Sequence, residues 1–184
     1  MDHITLVPPK GLARWLRLYL LYHRSFPRAE RKPFATILKK YRRGCTDIWC
    51  ICREGRFAGF AATMNSPDLI MLDYLAISQK HRGQGIGTAA LTQILEIYAH
   101  IPFLLEIESP YEPGQDQALR QKRKQFYVNC GLKPLHIMAE VFGIKMELLG
   151  RNCHLDFVQY RNFYRDFYKP WAAEHILPAE YPEQ

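Results

Sequence analysis

Long hydrophobic runs are missing from this sequence. The most apolar early segment, Leu16 to Tyr22, is short, and Arg14, Arg17 and Arg24 flank or interrupt it. A membrane-spanning helix needs roughly 20 apolar residues, so no span is expected. No secretory leader pattern is visible either. A disulfide framework is also lacking: the five cysteines, at positions 45, 50, 52, 130 and 153, are odd in number and irregular in spacing. They read as reduced thiols, and the expectation is a cytoplasmic protein. The histidines, among them His3, His23, His100, His136 and His154, are scattered, with no Cys/His spacing of the zinc-site kind, so no metal is expected. No Gly-x-Ser-x-Gly element appears, which argues against a covalent acyl-enzyme. Repeats, low-complexity segments and an obvious linker are absent. Residues 1–184 are therefore read as one domain, with its core at about 11–150 and a C-terminal helix and tail over 151–184.

Acidic residues are in the minority. Eighteen Asp and Glu face 25 Lys and Arg, giving a formal charge of +7. That balance favours an anionic ligand, whether nucleic acid, a phosphorylated cofactor or a membrane surface. The composition is otherwise that of a globular chain, 48% hydrophobic and 23% charged, which leaves little room for disorder except at the ends.

Periodicity supplies the order of elements. Gly11 to Arg24 reads as an amphipathic helix, interrupted by Ser25-Phe26-Pro27. Pro33 suits the first turn of a second helix through Tyr41, closed by the basic run Lys39, Lys40, Arg42 and Arg43. Thr46 to Arg53 and Arg56 to Met64 are strand-like and joined at Glu54-Gly55, a hairpin signal. Leu69 to Ile77 is a nearly continuous apolar strand, hence a central one. A helix is predicted over Thr88 to His100, a strand over Phe103 to Glu108, and a helix from an Asp116 cap to about Cys130 with Gly131 as its stop. Lys133 to Val141 and Ile144 to Leu149 form a final antiparallel pair turning at Phe142-Gly143. Leu155 to Tyr168 is the last predicted helix, with an aromatic stripe that fits core packing or a dimer face. The tail, with Pro178 and Pro182, is expected to be loose.

The most informative stretch runs from Met71 to Ala90. A buried strand passes through a polar turn into Arg82-Gly83-Gln84-Gly85-Ile86-Gly87-Thr88 and a helix start. Glycines let backbone N–H groups approach an anion closely, and the first N–H groups of a helix have no partners of their own. The stretch therefore reads as a phosphate cradle. Gly85-Ile86-Gly87-Thr88-Ala89-Ala90 also satisfies the GxGxxA dinucleotide fingerprint. Against that reading, five polar residues separate the strand from the first glycine, where the dinucleotide fold turns tightly. Three strands already precede the motif, and the chain has no room for a second nucleotide-binding half.

The pattern Arg/Gln-x-x-Gly-x-Gly/Ala at Arg82 to Gly87 resembles the GCN5-related N-acetyltransferase (GNAT) superfamily. Leu75-Ala76-Ile77 matches that superfamily's usual strand end, and Phe126-Tyr127, three residues, Gly131-Leu132 matches its FYxxxGF segment. The order of elements matches from about Leu12 to Leu149. The segments around Glu30, EIESP and KRKQFYVNCG resemble an uncharacterised bacterial subgroup. The resemblance implies an α/β (α+β) fold: a mixed, mostly antiparallel sheet of about six to seven strands with a central splayed parallel pair, flanked by helices. It implies acetyl-CoA as co-substrate and transfer of its acetyl group to a primary amine of an unknown acceptor, by direct attack in a ternary complex. Cofactor contacts carry over to Leu75, Ala76 and Ile77 through backbone pairing, to Arg82, Gly83, Gln84, Gly85, Ile86, Gly87 and Thr88 at the pyrophosphate, and to Phe126.

The implied chemistry needs a base, because an amine is mostly protonated at neutral pH. The candidate carboxylates are Glu106, Glu108 and Asp73, in that order of preference. It also needs an acid for the departing thiolate, and Tyr127 occupies the superfamily's position for it. An ordinary phenol pKa of about 10 and a thiol pKa of about 8.5 are close enough for transfer across a hydrogen bond. One departure stands out: Arg120 and Arg123 replace the Asn and Ala that often precede the Phe of the FY pair. They lie within Arg120-Gln121-Lys122-Arg123-Lys124, a basic cluster that reads as a contact to nucleotide phosphates or as solvated surface.

The alternatives are an acyl-CoA sensor without turnover and, more remotely, a dinucleotide- or nucleic-acid-binding protein. No nucleic acid and no membrane are expected among the partners, and the chain is read as a monomer or homodimer. Only Glu30 is acidic between Leu12 and Arg43, which argues mildly against a polycationic acceptor there.

Overall fold

The computed structural model describes residues 3–182. The chain forms two compact units, Met1–Ala99 and His100–Gln184. In the first, the strands are β1 (Ile4–Val7), β2 (Thr46–Arg53), β3 (Arg56–Asn65) and β4 (Ile70–Ile77), and the helices are α1 (Leu12–Ser25), α2 (Phe34–Arg42) and α3 (Ile86–Ile97). The strands pair antiparallel in the order β1-β2-β3-β4. The β2–β3 hairpin turns at Glu54 and Gly55, both at positive φ (49° and 76°), the backbone hand that matches strand twist in a two-residue hairpin.

One core cluster of this unit packs α1 and α2 against a face of its sheet. Leu18 and Tyr22 of α1 and Ile37 of α2 bury against Ile48, Cys50, Cys52, Phe60, Tyr74 and Ala76. Each such large apolar side chain, fully buried, is worth about 1.5–3 kcal/mol. Edge-to-face rings reinforce the packing: Tyr22 meets Tyr74 at 5.0 Å and Phe26 meets Tyr74 at 4.8 Å between centroids.

In the second unit the strands are β5 (Phe103–Glu108), β6 (Lys133–Val141), β7 (Ile144–Arg151) and β8 (Ile176–Ala179). The helices are α4 (Gln117–Asn129), α5 (Phe157–Phe167) and α6 (Pro170–Glu174). The strands again pair antiparallel, in the order β5-β7-β6-β8. The aromatic stripe of α5 is core: Tyr160, Phe163, Tyr164 and Phe167 are buried. The helix opens with a capping box between Asp156 and Gln159.

Three expectations need correction. Eight strands are described rather than six or seven, because β1 and β8 are four-residue edge strands too short for an alternation signal. The tail is not loose up to Ala179: β8 pairs with β6 from Val141↔Ile176 to Met138↔Ala179, and Pro178 is tolerated because the strand is an edge. Asp116 stands at the α4 N-cap but its side chain makes no capping bond.

Candidate active site

In the first unit the Gly-rich stretch is the hinge between β4 and α3. After Ile77 the chain makes one 3-10 turn, Gln79–His81, and then Gly83 and Gly85 take positive φ of 71° and 73°. A side chain at either would be strained there. Gly85 is the N-cap of α3 and brings no side-chain cap, so the first-turn N–H groups of Ile86, Gly87 and Thr88 open on the loop. Gly83, Gln84, Gly85 and Thr88 are exposed, and Ile86 is buried and anchors the turn. Backbone donors and a helix dipole thus converge where an anion is stabilised, the dipole contributing about 0.3–1 kcal/mol at an exposed site.

Side chains brace this loop. Arg82 donates from Nε to the Ile77 carbonyl (3.0 Å), and Gln84 donates from Nε2 to the Lys80 carbonyl (3.0 Å). Arg53, at the end of β2, donates to Gln84 Oε1. His81 is held below the ordinary imidazole pKa by burial and by the nearby charges of Lys80 and Arg53. The loop's positive charge therefore comes from Lys80, Arg82 and Arg53.

The strand feeding the loop is irregular in a useful place. Ala62 pairs with Tyr74 but Thr63 pairs with Leu72, so Asp73 is an extra residue, a β-bulge. Bulges bend a strand and re-aim its side chains, and they recur beside active sites. Past the bulge Leu75 and Ile77 are half-buried on one face, while Tyr74 and Ala76 are buried on the other. Asp73 is ion-paired with Lys32 at 2.6 Å. Lys32 is placed there by its backbone: its N–H donates to the Tyr74 hydroxyl (3.2 Å), and its carbonyl accepts from the Tyr22 hydroxyl (2.7 Å).

In the second unit β5 presents Glu106 and Glu108 on one face. Glu106 accepts on Oε1 from the hydroxyls of Tyr160 and, at 2.7 Å, Tyr164. Glu108 is paired with Arg120 (3.3 Å), which also donates to the Glu112 carbonyl (2.5 Å). Arg120 is 8% exposed. The expectation that the basic cluster is either surface or a phosphate contact therefore needs correction at two residues: Arg120 and Lys124 turn inward. Lys124 pairs with the buried Glu147 at 2.7 Å, while Lys122 and Arg123 remain exposed.

Tyr127 and Phe126 lie on α4 with ring centroids 5.0 Å apart. Burial pushes the Tyr127 phenol up to about 12, with Arg123 pulling it down slightly. Among the described residues no group hydrogen-bonds to its hydroxyl. Gly131, at φ 92°, ends the helix, and the Leu132 N–H bonds the Tyr127 carbonyl (3.2 Å). That 6→1 bond is a Schellman closure, so the FYxxxGL spacing locks the backbone of Tyr127 itself.

The partners of the candidate carboxylates were not read from the sequence. Lys32 gave no signal, because an ion pair 41 residues apart has no local pattern. Tyr160 and Tyr164 did give one: two tyrosines at i and i+4 within a buried stripe need partners for their hydroxyls.

The profile of the Acetyltransferase (GNAT) family matches residues 15–125. No curated protein matches. Among solved structures, a protein from Bacteroides thetaiotaomicron assigned to the GNAT acetyltransferases aligns with a TM-score of 0.70 at 19% identity, over 93% of this chain and 98% of that one. Arabidopsis thaliana NAA60 in complex with a bisubstrate analogue aligns at 0.62 and 12% identity, over 81% and 97%. The microcin C7 self-immunity acetyltransferase MccE in complex with acetyl-CoA and AMP aligns at 0.61 and 15% identity, over 82% and 93%. These likenesses show the fold, a mixed α+β architecture with a mostly antiparallel sheet and flanking helices. Together with a family profile that spans more than half of its length, they place the sequence: the chain belongs to the GNAT family of acetyltransferases.

Proposed function

We propose that the protein transfers the acetyl group of acetyl-CoA to a primary amine by direct attack, with no acyl-enzyme. The observation that carries this reading is the loop after β4, where two positive-φ glycines lead into an uncapped helix start ringed by Lys80, Arg82 and Arg53. Acetyl-CoA would lay its pyrophosphate on the backbone of residues 82–88 and its pantetheine along the backbone of Leu75, Ala76 and Ile77, with Phe126 as an apolar contact. The MccE complex with acetyl-CoA supports a nucleotide thioester as the ligand of this fold.

Glu106 is the base in this reading. Asp73 pairs with Lys32 and Glu108 with Arg120, and Glu106 accepts hydrogen bonds from the Tyr160 and Tyr164 hydroxyls. It takes a proton from the ammonium so that the free amine attacks the thioester carbonyl. Collapse of the tetrahedral species breaks the C–S bond, and Tyr127 hydrogen-bonds to and reprotonates the sulfur, regaining its proton from the amine nitrogen through solvent. A cytoplasmic, monomeric or homodimeric enzyme of one domain is the setting proposed.

The test is CoA release, followed with a thiol reagent, over a broad panel of small amines, peptides and proteins with free N-termini. Turnover with any class of acceptor is expected. Tight acetyl-CoA binding by calorimetry with no release across the panel would replace this reading with that of a sensor.

A further inference from the structure

Helix α5 lies outside the residues 15–125 that the family profile matches, yet it supplies both hydroxyls that reach Glu106. We propose that Tyr160 and Tyr164 are positioning residues, which orient the Glu106 carboxylate and hold it ionised for proton abstraction. This rests on the reading of Glu106 as the base.

The geometry is specific. Both phenols donate to the same oxygen, Oε1, so anchoring one oxygen fixes the direction of the other. The two tyrosines are one helical turn apart and stack edge-to-face at 5.6 Å, and both are buried among Phe163 and Phe167. Their rotamers are therefore set by packing, not by Glu106. The capping box at Asp156 and Gln159 fixes where the helix starts, and with it the height of Tyr160 over β5.

Within this unit, groups from β5, β7 and α5 stand around Glu106. Its register partner on β7 is Leu148, which carries no charge. Two residues along the strand on the same face, Glu108 is paired with Arg120 of α4. From α5 come Tyr160 and Tyr164. Tyr160 is raised well above the ordinary phenol pKa, first by burial and then by the Glu106 charge, so it stays a donor throughout the working pH range. Hydrogen bonds from neutral donors to a carboxylate favour its charged form, and each bond to a charged group is among the stronger ones.

The experiment uses the full chain labelled with carboxyl-13C glutamate, with the Glu106 signal assigned by its loss in E106Q. The titration midpoint of Glu106 is compared in the unaltered protein, Tyr160→Phe and Tyr164→Phe. Each substitution keeps the ring and removes one donor, and each is expected to raise the midpoint by about one pH unit. With the acceptor found by the CoA-release screen, each is also expected to lower kcat while leaving the KM for acetyl-CoA unchanged. An unmoved midpoint in both variants, with a lowered melting temperature, would mean that the tyrosines only pack, and would overturn the proposal. A raised midpoint together with undiminished turnover by E106Q would instead overturn the base assignment on which it rests. If either variant folds poorly, the other carries the test, since each removes one of two independent bonds.

Discussion

At the scale of single residues, ionisation decides roles. Tyr127 is pushed up to about 12 by burial, so its gap to an ordinary thiol near 8.5 is about 3.5 pH units, or close to 5 kcal/mol for complete proton transfer. In the proposed mechanism it therefore works first as a hydrogen-bond donor to the developing thiolate. The sign of its pH effect follows: a group whose folded pKa is raised keeps its proton up to that raised value, so kcat should show no descending limb from Tyr127 below pH 10. A limb with midpoint near 10 would contradict this. Tyr127→Phe should lower kcat by about 10²-fold or more, the usual contribution of general acid catalysis, with acetyl-CoA affinity nearly unchanged. The carboxylates separate in the same way. Glu106→Gln should cost about 10²-fold or more in kcat, whereas Asp73→Asn, whose carboxylate already serves Lys32, should stay within about tenfold. The thiols divide as well: Cys50 and Cys153 are pushed up to about 11 by burial, while Cys45 and Cys130 are half-buried. Alkylation at pH 8 read by mass spectrometry should modify Cys45 and Cys130 first, because the thiolate is the reactive form.

At the scale of elements, the spacing of apolar residues was enough to find the central strands and helices. Phe103 to Glu108 coincides with β5, and Gly131 does end α4, because both signals are local: a run of buried side chains and a residue able to take positive φ. The positive-φ glycine loop before α3 was legible for the same reason. The Asp73 bulge was not, since a register shift is set by the partner strand rather than by the bulged one, and neither was the ion pairing of Asp73 and Glu108. Edge strands fell below the length at which alternation is readable. The strand pairing also gives a test. A Cβ at Gly59 would lie 2.4 Å from the Ala76 carbonyl oxygen, so β3 and β4 approach closely at the strand end proposed for pantetheine. Gly59→Ala should destabilise the protein by about 1–3 kcal/mol, the usual cost of overpacking, and weaken acetyl-CoA binding measurably by calorimetry. Stability and affinity both unchanged would show that β4 tolerates the shift and that Ala76 does not position the cofactor. Stopping the chain after His175 is the companion experiment. It removes β8 and the Tyr181 hydroxyl that donates to the buried Glu147 at 2.6 Å, leaves β6 as an open edge, and should lower the melting temperature and promote aggregation.

At the scale of the molecule, the formal charge of +7 is spread over surfaces of different kinds, and only part of it belongs to a ligand site. Arg120 and Lys124 are consumed by Glu108 and Glu147, and Lys32 by Asp73, so these cations add nothing to the attraction of a distant anion. Lys80, Arg82 and Arg53 stand at the glycine loop, where the proposed polyanionic cofactor would be attracted directly. Screening separates this from a general basic surface, because the Debye length falls from about 10 Å at 0.1 M to about 3 Å at 1 M salt. Acetyl-CoA affinity should weaken about tenfold between 0.05 and 0.5 M salt, while acetyl-pantetheine, which carries the thioester without the nucleotide phosphates, should bind more weakly and with little salt dependence. Arg82→Gln should remove part of the salt dependence for acetyl-CoA and none for acetyl-pantetheine. At saturating acetyl-CoA the folded state gains RT ln(1 + [L]/Kd), about 2.7 kcal/mol at a hundredfold excess over Kd, which for a chain of this size raises the melting temperature by roughly 5–10 °C. Equal salt dependence for both thioesters would place the phosphates away from the glycine loop. A salt-dependent mobility shift with RNA at concentrations where acetyl-CoA gives no thermal shift would assign the positive charge to nucleic acid instead.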